Sequence, residues 1–84
     1  MDLQMSLLQE ETQYLKFVVD VLRNARLQEG DSFSKEDLAA IGIREGMHPY
    51  EIEKSLRLAR EYGLIKFPTL ESFVLTKDGE SALH

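Results

Sequence analysis

Apolar residues recur as doublets at heptad spacing along the first third of the chain: Leu7–Leu8, Tyr14–Leu15 and Val21–Leu22, with Phe17 and Val18 between them. Leu, Gln and Glu are frequent there and neither Pro nor Gly interrupts, so the pattern predicts one helix over about 3–28. On such a helix Leu15, Val18, Leu22 and Ala25 form one stripe, and Leu7, Tyr14, Phe17 and Val21 form a second beside it. A single stripe docks a surface helix on its own core. Two stripes leave two readings open. The helix is a central spine with both stripes buried, or the outer stripe of Leu7, Tyr14, Phe17 and Val21 packs on a second copy. The homodimer is the expectation carried forward.

Beyond Gly30 the periods shorten. Ser32–Phe33 suits a minimal strand, and Ser34 is a good N-cap for a second helix, with Glu36 and Asp37 at its positive end. Leu38, Ala39 and Ile41 give that helix an inward face, and Gly42 is expected to end it. A turn from Gly42 to His48 follows. Pro49 suits the first position of a third helix, with His48 at the cap and Gly63 closing it. Ile52, Leu56 and Ala59 make its buried stripe, flanked by Leu58 and Tyr62. Leu64–Phe67 and Ser72–Leu75 read as two strands joined through Pro68-Thr69-Leu70-Glu71, a β-hairpin. Thr76 caps a last short helix over 77–83, in which Gly79 is a poor helix former.

Composition narrows the class. Eighty-four residues suit a single domain spanning 1–84 with a limited core, since a chain this small buries only about 60% of its unfolded surface. With no cysteine there is no disulfide, iron–sulfur cluster or thiolate zinc site. A hydrophobic share of 43% is too high for a disordered chain. No apolar run is long enough to cross a membrane and no signal-peptide pattern is seen, so a soluble cytoplasmic domain without a membrane partner is expected.

The order helix, short strand, helix, turn, helix, hairpin resembles the winged helix-turn-helix family, and the resemblance covers nearly the whole chain. Ala59-Arg60-Glu61-Tyr62-Gly63-Leu64-Ile65 is similar to the usual finish of the third winged helix. Leu75-Thr76-Lys77-Asp78-Gly79-Glu80-Ser81-Ala82-Leu83 resembles the L-T-x-x-G-x-x-x-L ending of many small winged-helix regulators, and Phe33-Ser34-Lys35-Glu36-Asp37-Leu38-Ala39 the start of the helix before the turn. The implied fold is α+β and mainly helical: a long first helix, a helix-turn-helix over about 34–62, a hairpin wing over about 64–75 and a short closing helix. The turn from Gly42 to His48 is longer than the three or four residues usual for the motif. The implied function is a DNA-binding transcriptional regulator acting as a homodimer, with the third helix in the major groove.

The net charge of −5 opposes nucleic acid at first sight, but it is unevenly spread. Residues 44–66 carry five basic against four acidic side chains, whereas 1–31 carry three against six. Tyr50, Lys54 and Arg57 are expected on the exposed side of the third helix, with Arg57 reading guanine or phosphate and Arg44 and Lys66 on phosphate. Against this, Lys54 can pair with Glu51 and Arg57 with Glu53 as ordinary solvated residues, and the hairpin tip carries Glu71 and no cation. The competing class is a winged helix for protein contact, with Tyr50, Met47 and Leu70 as the patch. Catalysis is not expected. His48 reads as a cap, His84 is terminal, Tyr14 and Tyr62 read as core edge, and no ligand spacing points to a metal or other cofactor.

Overall fold

The structure is a computed structural model that describes the backbone of residues 2–84 and the side chains of residues 11–84. Helix α1 spans Asp2–Asn24, four residues short of the expected end. The stop is a left-handed residue without a glycine: Arg26 adopts φ 58°. The Arg26 N–H then donates to the Arg23 carbonyl at 3.0 Å, and the Leu27 N–H to the Leu22 carbonyl at 3.2 Å. This pair of bonds satisfies two carbonyls of the last turn, those of Leu22 and Arg23. Leu27 packs against the core, which helps to hold a conformation that L-residues rarely adopt.

Strand β1 (Ser32–Ser34) leads straight into α2 (Lys35–Arg44), and the Ser34 hydroxyl accepts from the N–H groups of Glu36 and Asp37 as expected of a cap. Gly42 does not end this helix. α2 runs on to Arg44, and Gly46, at φ 89°, closes it. Gly42 is instead a contact point: a Cβ there would lie 2.8 Å from the Ile52 side chain and 3.1 Å from the Phe17 ring. The turn to the next helix is therefore only Glu45–His48, the length of a tight helix-turn-helix connection. Helix α3 (Pro49–Glu61) begins with Glu51 reaching back to accept the His48 N–H at 2.7 Å, and Gly63 at φ 77° releases the chain.

Strands β2 (Ile65–Lys66) and β3 (Ser72–Leu75) form the expected hairpin. β1 adds to its other side, Phe33 opposite Phe73, giving a three-stranded antiparallel sheet of order β1-β3-β2. Thr76 caps α4 (Lys77–Leu83) by accepting the Gly79 N–H, and its own hydroxyl donates to the Gly63 carbonyl. Among the described residues the fold is thus α+β and mainly helical, with four helices and one small sheet. Its core joins Val18 and Leu22 of α1 to Leu38 of α2, Ile52, Leu56 and Ala59 of α3, and Ile65, Phe73 and Leu75 of the sheet. Ser55, fully buried, donates to the Glu51 carbonyl at 2.8 Å, so its hydroxyl carries no unmet hydrogen bond.

Candidate nucleic-acid interface

Burial on α3 follows its period. Ile52, Leu56 and Ala59 face the core as expected, joined by Ser55 and by the flanking Leu58. Opposite them Tyr50 is 63% exposed and Arg57 is exposed. Lys54 departs from the expectation. It is half-buried, and its Nζ sits 5.4 Å from the centre of the Tyr14 ring, so it leans toward α1. Arg44 is exposed at the end of α2. Lys66 borders a separate depression with Gly63, Val74 and Lys77. Lys54 thus leans on α1, and Lys66 lines a depression that Arg57 does not.

A different set of cations does come together. Lys35, the first residue of α2, brings its Nζ to 5.4 Å from the Phe67 ring centre, and the Arg60 guanidinium lies 5.9 Å from the same ring. With Arg57 they line a cleft of about 210 Å³ between α3 and the hairpin tip, where Thr69 and Leu70 form the other wall and Glu53 is the one carboxylate among the described lining residues. Phe67 is held in turn against Phe73 at 5.8 Å. Arg60 was legible in sequence as the residue one turn after Arg57. Lys35 was not, because only the pairing of β1 with β3 carries the start of α2 to the hairpin: the Lys35 N–H donates to the Glu71 carbonyl at 2.9 Å.

The pairings that would neutralise α3 do not form. Among the described residues the one ion pair is Arg23–Asp20 at 3.4 Å, and Glu51 is engaged in capping α3. Arg57, Arg60 and Lys35 thus form no ion pair with a carboxylate among the described residues. The hairpin tip is ordered by Thr69, whose hydroxyl oxygen accepts from the N–H groups of Glu71 and Ser72. It projects Leu70 at 90% exposure. The alternative contact patch is not assembled, because Met47 is half-buried beside α1 whereas Leu70 lines the cleft by α3.

The expected dimer stripe also changes. Phe17 and Val21 belong to the monomer's own core, Tyr14 is half-buried, and Leu7 lies outside the described side chains. The reason is that α1 packs chiefly on α3, which draws this stripe inward, with Phe17 touching the Gly42 position. Tyr62, read as core edge, is 56% exposed and its hydroxyl meets the Glu11 carboxylate at 3.3 Å. The negative charge of Glu11, more than the hydrogen bond itself, raises the Tyr62 pKa above 10.0. His48 is exposed beside Tyr50, and among the described residues no three His, Asp or Glu side chains are grouped to hold a metal ion. No helix among the described residues is long and apolar enough to cross a membrane. The chain matches no family model, no curated protein and no solved structure.

Proposed function

We propose that the chain is a winged-helix domain that binds duplex DNA, as a regulator of transcription does, with α3 in the major groove and the β2–β3 hairpin as its wing. The observation that carries this is the gathering of Lys35, Arg57 and Arg60, free of ion pairs, between α3 and the hairpin tip. Arg57 and Tyr50, on the outward side of α3, meet base edges, and a guanidinium paired with guanine O6 and N7 is the commonest specific contact. Lys35 and Arg60 hold phosphates and fix the docking. The acidity of the chain lies mainly in α1 and the last segment, so the approach is local rather than driven by net charge.

Two phosphate-neutralising cations correspond to a slope of log K against log salt of about −2, from about −0.9 per contact. Fluorescence anisotropy of a labelled duplex between about 50 and 200 mM salt reads that slope directly. A dissociation constant above about 1 mM at the lower salt, or a flat salt dependence, rejects DNA as the partner. The exposure of Tyr50 at the start of α3 and of Leu70 at the hairpin tip favours a protein partner as the second reading. It is distinguished by a pull-down that is lost on Tyr50→Ala while duplex binding is absent.

A further inference from the structure

Lys35 and Arg60 come from different helices and carry like charge, yet they converge on one ring. The Lys35 Nζ lies 5.4 Å and the Arg60 guanidinium carbon 5.9 Å from the centre of Phe67. Repulsion between two cations opposes such a gathering, and the negative face of an aromatic ring offsets it. No carboxylate supplies that offset. Glu53 is the one acid among the described residues lining the cleft, and Glu36, Glu61 and Glu71 are exposed neighbours in sequence. None of the four forms an ion pair with Lys35, Arg57 or Arg60. Phe67 itself is fixed from behind. Pro68 disfavours a helical backbone at the residue before it. The Phe67 ring meets Phe73 edge-on at 5.8 Å, and the buried Phe73 lies 5.9 Å from Phe33. The pairing of β1 with β3 that seats Phe33 opposite Phe73 also delivers Lys35, whose N–H donates to the Glu71 carbonyl.

We propose that Phe67 is the positioning residue of a phosphate clamp: its ring orders the Lys35 ammonium and the Arg60 guanidinium before a phosphate-bearing ligand arrives. This rests on the reading of these two cations as phosphate contacts, and adds what holds them in place. Long basic side chains lose rotamer freedom when a ligand immobilises them, and prior ordering on a ring lowers that cost. The ring does not compete with the ligand. An ammonium has three donors and a guanidinium five, so N–H groups remain free to meet phosphate oxygens while the cation rests on the ring. Arg57 lines the same cleft, but Lys35 and Arg60 are the two that lie against Phe67. Leucine in its place keeps apolar bulk and loses the negative face, whereas tyrosine keeps both.

The test uses the full ¹⁵N-labelled chain and two probes at low salt: inorganic pyrophosphate, followed by NMR at the Arg60 Nε–H and nearby amides, and a labelled duplex, followed by anisotropy. Phe67→Leu is expected to weaken both by about fivefold or more, the cost of ordering two long side chains anew. Phe67→Tyr is expected to bind as the parent does, and urea unfolding run alongside separates binding from stability. The loss caused by Phe67→Leu is expected to shrink in Lys35→Ala and in Arg60→Ala, because the ring acts through those cations. A loss of the same size in all three backgrounds overturns the proposal, since Phe67 then acts on the fold. So does Phe67→Leu binding both probes as tightly as the parent. Pyrophosphate binding that depends on Phe67, without duplex binding, supports the clamp and rejects DNA as its ligand. Duplex binding indifferent to Phe67 does the reverse, and a parent that binds neither probe overturns both. Where Phe67→Leu fails to fold, a ring-fluorinated phenylalanine at Phe67 decides: it keeps the shape and withdraws the negative face, so unchanged binding overturns the proposal.

Discussion

Replacing Gly79 with alanine pits helix propensity against packing. In an ordinary helix the change stabilises by about 0.5–1 kcal/mol, because glycine loses more backbone freedom on folding. At this position the new Cβ falls on the Leu64 carbonyl oxygen, well inside van der Waals contact, and 2.6 Å from Leu75 Cδ1. A backbone oxygen cannot rotate away as a side-chain end can, so α4 must move. It is tied by the Thr76 cap, by the bond from the Arg23 guanidinium to the Leu83 carbonyl at 2.9 Å, and by burial of Leu83. Overpacking of this kind costs about 1–3 kcal/mol, which exceeds the propensity gain and leaves a net loss of about 1–2 kcal/mol. With a urea slope of about 1 kcal/mol/M for so small a protein, the unfolding midpoint followed by circular dichroism falls by about 1–2 M. Ala82→Gly, at an exposed site of the same helix, isolates propensity and is expected to lose about 0.5–1 kcal/mol. A Gly79→Ala protein as stable as the parent, or more stable, refutes the reasoning: α4 would then not be pressed on the chain at Leu64.

Ser34→Ala removes the acceptor of the Glu36 and Asp37 N–H groups, and is expected to destabilise by about 0.5–2 kcal/mol in the same urea assay. Lys35→Ala and Arg60→Ala are each expected to make the salt slope of duplex binding shallower by about 1 and to weaken binding on every sequence, while Lys66→Ala, outside the cleft, leaves the slope unchanged. For Tyr62, the folded pKa lies above the unfolded value, so its bond to Glu11 is fully present below pH 10.0 and is lost as pH rises through the higher folded value. The tyrosinate absorbance that disappears in Tyr62→Phe should therefore show a midpoint above 10.0, and Glu11→Gln should lower it.

Much of the architecture was legible in the chain because local rules were obeyed. Ser34, Thr76 and Pro49 mark helix starts by capping chemistry, and Ile52, Leu56 and Ala59 mark a buried stripe by period alone. The misreadings come where a residue's role is set by what lies across from it. Gly42 has the look of a helix stop, yet the facing Ile52 and Phe17 require its small size in mid-helix. Arg26 stops α1 although nothing in its type predicts φ 58°. Lys54 and Arg57 are one turn apart, and only the packing of α1 on α3 turns the first toward Tyr14 and leaves the second toward the hairpin.

By itself, then, the order of apolar and polar residues determined which segments are helix and strand, where most begin, and that the third helix shows its charged face outward. These are properties of neighbours within a few residues, governed by backbone geometry and capping. Tertiary structure decided which charges meet. Lys35 lies more than twenty residues from Arg57 and Arg60, and it joins them only because β1 pairs with β3. It likewise drew Phe17 and Val21 of the outer stripe of α1 into the monomer's own core, because helix packing sets the distance between residues remote in sequence and no local pattern records it.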